Sequence, residues 1–380
     1  MKASFQRVFC TALAVGSLAL GLGACGGGGG GGSGNGALAD AKSLTTFGTG
    51  TPAADFASSG KFSVNFVVAD EAGNPILALD DRSGLSPKFR IALFNVFLRQ
   101  AMAATGDIQC FIDQPAGLTC NLSNLSSQAP QAANDSKLGV AILLDSSGSM
   151  AISDPSGLRK QAAGDFLDIL GQKSQENLFS AYDFTTAVLD WNPTNPPYSS
   201  TRVLADWSAA TDANVAAATT EIDNKVGDFG STPLFASATE LCNRFGQDIA
   251  GSQQIPSDFV KSLLLLSDGD NTDAGTVDDV VNCLQSNDVI ANVVGLGTGF
   301  STQGLADLQT IAGAKGGIFA KADTAAALTP IFQAVAGAAT EGFNIAEFVL
   351  SDPAACFGTV EGRMEIEGTG LSGTFSFVCP

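Results

Sequence analysis

The chain has 380 residues, 45% of them hydrophobic and only 15% charged, so it is long and apolar enough to bury more than one ordinary core. Acidic residues outnumber basic ones by 38 to 19, a net charge of −19 that excludes nucleic acid and a polybasic membrane surface, since both need clustered Lys and Arg. There is no histidine, which removes Ser-His-Asp and Cys-His catalysis and every His-ligated metal site.

In chain order, Lys2 and Arg7 precede an apolar run over residues 8–22, the pattern of an export signal. Leu22-Gly23-Ala24-Cys25 resembles a bacterial lipobox, which implies a signal peptide over residues 1–24 and a lipid on Cys25. Gly26 to Gly32, then Ser33-Gly34-Asn35-Gly36, make a flexible tether with an r.m.s. reach of about 18 Å. The anchor and tether segment is assigned to residues 25–59. Gly26 after Cys25 resembles the Gram-negative default for outer-membrane delivery, so the expected place is the bacterial cell envelope. No later apolar stretch is long enough to cross a bilayer, and the lipid is the only membrane contact expected.

Residues 60–136 read as a β-rich flank: 62–68 alternate, Glu71-Ala72-Gly73-Asn74-Pro75 is a turn, and 76–79 resume the strand. The apolar run from Gly139 to Leu144 then ends directly in Asp145-Ser146-Ser147-Gly148-Ser149-Met150. Asp145, Ser147 and Ser149 alternate, so a tight loop can turn one carboxylate and two hydroxyls toward one point. Oxygen-only clusters suit hard divalent cations, and ligands of open α/β sheets sit beyond the carboxyl ends of strands. Alone, such a string also describes a solvated turn.

Beyond it, Ala163, Phe166, Leu167 and Leu170 recur at helical spacing. Strands are expected at 177–184 and 188–191, then a Pro-rich turn at 192–197 and a helix at 213–226. Gly230-Ser231-Thr232-Pro233-Leu234 offers Thr232 at the start of a helix over 235–245. Lys261 to Leu266 is a buried strand that stops in Ser267-Asp268-Gly269-Asp270. A helix at 277–284, a strand at 289–294, a helix face of Leu305, Leu308 and Ile311, and a last helix at 324–338 follow. Short strands at 348–350, 360–366 and 373–378 close the chain.

This alternation predicts an α/β fold: a doubly wound, mostly parallel sheet with helices on both faces, plus a small β-rich domain from the flanks. The order D-S-S, T, D at strand and helix ends resembles the von Willebrand factor A domain family. So does the tail, L-x-x-L-x-x-I-A from Leu305, G-G-x-F from Gly316 and L-x-x-I-F from Leu328. The domain is assigned to residues 137–340, with a second β-rich flank at 341–380. The two flanks join in one sandwich around the inserted domain or form two separate caps.

The resemblance implies an intact metal-ion-dependent adhesion site with Asp145, Ser147, Ser149, Thr232 and Asp268 as ligands. Mg²⁺ is the expected cation, with Mn²⁺ and Ca²⁺ as alternatives. The implied function is a membrane-anchored adhesion or protein-binding module that captures an Asp or Glu carboxylate of a protein partner. The alternative is a docking subunit of a pilus or secretion assembly. With no nucleophile–base pair and no cofactor loop in the sequence, no enzyme activity is expected.

Of eight cysteines, Cys10 falls in the expected signal peptide and Cys25 is the expected lipidation site. The remaining Cys110, Cys120, Cys242, Cys283, Cys356 and Cys379 are disulfide candidates in an exported chain. Sequence does not choose among the pairings; neighbours in order are the expected pairs. For Cys242 with Cys283 there is a topological reason, since the helices before and after the 261–266 strand lie side by side on one face. Asp268 to Asp273 fails the EF-hand pattern, and Asp270 and Asp273 are expected to be solvated.

Overall fold

The computed structural model describes residues 41–48, 58–70, 76, 89–95, 109–112, 120–128, 137–186, 201–246, 255–350, 358–366 and 370–379. Residues 1–24, Cys25, the Gly-rich run, the expected strand at 188–191, the turn at 192–197 and Cys356 lie outside them.

Strand β6 (Lys137–Asp145) is the axis of the fold. Its run of aliphatic residues is long enough to be buried on both faces, as a central parallel strand must be. Val140, Ile142 and Leu144 enter one core, while Ala141 and Leu143 enter the other. The period of two in side-chain direction thus feeds two helical layers from one apolar run. Around it lie β7 (Leu178–Phe184), β8 (Thr201–Ala209), β9 (Phe259–Ser267), β10 (Val289–Leu296) and β11 (Phe319–Ala322), in the sheet order β11-β10-β9-β6-β7-β8. Every pair is parallel except β7 with β8. The fold is therefore the doubly wound, mostly parallel one that the alternation predicts.

The helices of the α/β unit are α1 (Met150–Ser153), α2 (Leu158–Lys173), α3 (Asp212–Lys225), α4 (Leu234–Arg244), α5 (Val277–Asn287), α6 (Thr302–Gly313) and α7 (Leu328–Glu341). Residues of α2, α3 and α7 fill one core, including Phe166, Ile222 and Phe332. The opposite core takes α4, α5 and α6 through Leu241, Leu284 and Leu308. Cys242 and Cys283 form a disulfide between α4 and α5, with Cα atoms 6.2 Å apart. Side chains of Cys110, Cys120 and Cys379 lie outside the described ones.

Two strands of this sheet were not foreseen, β8 and the short β11. β8 is an antiparallel edge strand in which Thr201, Leu204 and Trp207 are buried and Val203 is exposed, a spacing that bulges against β7 produce and that simple alternation does not capture. Element ends otherwise move by a few residues. The final helix splits into a short 3-10 turn (Ala325–Ala327) and α7.

The flanking strands build two further sheets. β1 (Ser43–Phe47), β2 (Lys61–Ala69), β5 (Cys120–Gln128) and β12 (Phe343–Leu350) pair antiparallel in the order β1-β2-β12-β5. β3 (Phe89–Asn95), β4 (Gln109–Ile112), β13 (Gly358–Ile366) and β14 (Ser372–Cys379) take the order β14-β13-β3-β4, with β3 and β4 parallel. Each sheet therefore mixes strands from before and after the α/β unit. Phe62 stacks on Phe348 of its own sheet at 5.3 Å and on Phe377 of the other at 4.8 Å. Such offset rings add to the area they bury. Gly362 leaves room for the cross-strand Phe375 ring, which an added Cβ would meet at 2.2 Å.

Two sequence expectations change here. Ser43–Phe47 is a strand although it lies within the stretch assigned to the tether. β2 does not alternate in burial either, because Phe62 faces the second sheet while Val67 and Ala69 reach the α/β core.

Candidate metal centre

β7 follows β6 on one side and β9 lies on the other, so the chain reverses direction across the sheet between β6 and β9. Clefts form beyond the carboxyl ends of strands at such a switch point. Asp145 ends β6 and Ser267 ends β9, which brings the two polar loops side by side.

Asp145 is completely buried. Its Oδ1 accepts the Ser147 amide at 2.7 Å and its Oδ2 accepts the Ser267 hydroxyl at 2.7 Å. Burial pushes its carboxyl up to about 6; hydrogen bonds from Ser147 and Ser267 oppose that rise, and the nearby charge of Asp268 adds to it. The hydroxyls of Ser147 and Ser149 lie 2.9 Å apart, and Ser149 Oγ donates to Asp268 Oδ1 at 2.7 Å. Thr232 joins from the α4 side. An imagined Cβ on Gly269 would lie 3.9 Å from both Ser149 Oγ and Thr232 Oγ1, so these hydroxyls converge above that glycine. All five expected residues therefore meet at one end of the sheet. Asp145, Ser147, Thr232 and Asp268 are buried and Ser149 is exposed, so the cluster opens to solvent at Ser149.

The fit to a divalent cation rests on one atom. Asp268 Oδ2 is buried and has no hydrogen-bond partner among the described residues. An unpaired buried carboxylate oxygen is costly, and native structures rarely leave one without an ion, a water or a function. Two buried carboxylates and three hydroxyls form an oxygen-only donor set suited to a hard cation. The residues present fit the group.

A surrounding shell holds the Asp145 loop. Ser146 Oγ donates to Asp183 at 2.8 Å, and Arg202 grips the same carboxylate through Nε at 3.0 Å and Nη2 at 2.5 Å. The Gly148 amide donates to Gly230 O at 3.0 Å, which ties the loop to the segment leading into Thr232. Next to α1, Asp154 caps α2 by accepting the Leu158 and Arg159 amides at 2.7 and 3.0 Å. The Arg159 guanidinium pairs with Asp154 at 2.9 Å and with Asp228 at 2.5 Å.

Asp270 and Asp273 are not the solvated carboxylates expected. Asp270 accepts the Ser301 amide at 3.0 and 3.2 Å through its two oxygens, just before α6. Asp273 accepts the Ala236 amide at 2.9 Å and the Gly275 amide at 2.7 Å. Free amides at helix starts attract carboxylates, and only the tertiary fold brings those starts to this loop. Ser267, the second clamp on Asp145, also escaped the sequence reading; its only signal was its place before Asp268.

No curated protein matches the chain. Among solved structures, it is similar to a von Willebrand factor type A protein from Catenulispora acidiphila, at 14% identity and a TM-score of 0.43 over 77% of this chain and 74% of that one. Proximal thread matrix protein 1 from the mussel byssus gives 16% identity and a TM-score of 0.41 over 59% of this chain; the match spans about half of that protein, 50% of its length. The pilus adhesin SpaC from Lactobacillus rhamnosus GG gives 9% identity and 0.40, over 78% of this chain and 48% of that one. These likenesses are distant. The family model of the von Willebrand factor type A domain matches residues 140–334, a little over half of the sequence, and the chain belongs to that family.

Proposed function

We propose that this chain is a lipid-anchored, metal-dependent protein-binding module of the bacterial envelope. Asp145, Ser147, Ser149, Thr232 and Asp268 would hold the cation as an intact adhesion site. Mg²⁺ is the first choice, and Mn²⁺ or Ca²⁺ would suit the same oxygen donors. The observation that carries this reading is the unpartnered, buried Oδ2 of Asp268 within a cluster whose other members are hydroxyls and one more carboxylate. When bound, the cation supplies a positive centre on which an Asp or Glu carboxylate of a protein partner can be held. Exposure of Ser149 leaves a path for that side chain.

Three uncharged hydroxyls among the donors matter for recognition. They occupy the cation without neutralising it, so charge remains to attract a partner's anion. The net charge of −19 repels anionic partners at long range, so selectivity falls to contacts around the rim. The reading involves no turnover. Cys25 would carry the lipid and residues 26–36 the tether, with the outer membrane as destination. The flanks at 60–136 and 341–380 would act as one β domain beside the 137–340 unit, since their strands pair with each other.

Pull-down from native envelope extracts, with and without chelator, tests the function. A partner is expected in Mg²⁺ and lost in chelator, and Asp145→Ala and Thr232→Ala should each abolish capture while circular dichroism stays native. Capture by either variant, or in excess chelator, would remove the proposal.

A further inference from the structure

We infer that the loop Asn271-Thr272-Asp273 is a positioning clamp that fixes Thr232 relative to Asp268; the inference rests on the metal-binding reading above. Thr272 holds Thr232 from both ends of its backbone. Its Oγ1 accepts the Thr232 amide at 3.0 Å, and its own amide donates to Thr232 O at 2.9 Å. Its neighbours seize the start of α4. Asn271 Oδ1 accepts the Phe235 amide at 3.1 Å, and Asp273 Oδ2 accepts the Ala236 amide at 2.9 Å.

This arrangement replaces a local cap. Pro233 stands at the N-cap position of α4 and supplies no side-chain hydrogen bond. The first amides of a helix have no partner within it, so here a loop from another part of the chain provides them. The clamp is braced internally. Asn271 Nδ2 donates to both Asp273 O and Asp273 Oδ1 at 3.0 Å. Gly275 lets the loop approach α4 closely, since a Cβ there would lie 2.9 Å from Asp273 Oδ1 and 3.1 Å from Phe235 Cβ.

The functional consequence follows from connectivity. Asp268 and Asn271 are three positions apart, so the loop that carries one proposed ligand also grips the segment that carries another. Thr232 therefore cannot drift from Asp268 unless the clamp opens. Partners that orient metal ligands affect affinity by about 10–100-fold when removed. Thr272 is exposed, so a change of its side chain leaves the cores untouched.

The test is Mn²⁺ binding to the full chain, followed by electron paramagnetic resonance, in wild type, Thr272→Val and Thr272→Ser. Valine keeps the shape and loses the acceptor, and its Mn²⁺ affinity should fall about tenfold. Serine keeps the hydroxyl and should bind like wild type. The metal-free unfolding midpoint should change little in either, which a merely structural role for Thr272 would not give. In metal-free wild type the Thr232 amide should exchange slowly with solvent, and in Thr272→Val it should exchange fast. Equal Mn²⁺ affinity in wild type and Thr272→Val, or a fast-exchanging Thr232 amide in wild type, would overturn the clamp alone. A wild-type chain that binds no Mn²⁺ would overturn the metal reading and the clamp's role with it.

Discussion

Two groups of buried carboxylates, linked where Ser146 beside Asp145 donates to Asp183, are neutralised differently. Asp154 is completely shielded together with the fully buried Arg159, and Asp183 is gripped by both arms of Arg202. Asp145 and Asp268 are buried as deeply, yet they are held by uncharged donors, the Ser147 amide and Ser267 hydroxyl at Asp145 and the Ser149 hydroxyl at Asp268. The arginine-paired acids are structural: they fasten α2 and β7 to the loops above the sheet. The hydroxyl-paired acids have no Lys or Arg partner among the described residues, and that difference separates a brace from a binding centre.

The largest expected effect tests the brace. Arg159→Met would strand Asp154 in a buried environment and should cost about 3–5 kcal/mol in urea unfolding. An unchanged midpoint would mean that the two groups do not differ in kind.

Next is the binding centre. Mg²⁺ at about 100 times its dissociation constant should stabilise the wild type by about 2.7 kcal/mol. Asp268→Asn should abolish that increment. It should not lower metal-free stability, because it removes a carboxylate that has an unpartnered buried oxygen. Urea unfolding with Mg²⁺ and with chelator reads both terms, and a metal-free Asp268→Asn protein that unfolds much more easily would place Asp268 with the braces.

The smallest effect sharpens the comparison at the surface. Asp279, like Asp145, has a hydroxyl and an amide as partners, both from Thr276 at the start of α5. The Thr276 hydroxyl and then its amide hold the Asp279 carboxyl below its ordinary value, whereas burial pushes Asp145 up to about 6. Solvent access, not the partner type, sets the sign. A carboxyl lowered in the folded state stabilises above its unfolded value and loses that contribution as pH falls through the folded one. Thr276→Ala should therefore lower the melting midpoint slightly at neutral pH, and the gap from wild type should narrow below about pH 4 to the part left by the lost cap on the Asp279 amide. A gap of the same size in acid as at neutral pH would assign the effect to the helix cap alone.

Much of the site could be read in advance, and the reason is local. A continuous apolar run that stops at Asp145 marks a buried strand end, and the same holds for Leu263 to Leu266 before Asp268. Thr232 could be placed because Gly230 and Pro233 bracket a helix start. Less local features escaped. β8 carries a bulged burial rhythm, and β1, β4 and β5 are short or polar segments that acquire identity only from their neighbours. Thr46, whose hydroxyl donates to Thr374 O, is 328 positions from its partner. Asp270, Asn271 and Asp273 look like a solvated acidic stretch until the fold sets helix starts against them.

By itself, then, the sequence determined the four central strands β6, β7, β9 and β10, the helices that cover them, and the oxygen-bearing residues at their ends. Those properties depend on side-chain periodicity and on residues a few positions apart. Tertiary structure alone decided which carboxylates receive arginine, which keep an unpaired oxygen, and which loop holds Thr232 in place. Those outcomes depend on contacts between segments remote in the chain, where burial and the identity of the opposing group, rather than the residue type, set the electrostatic balance.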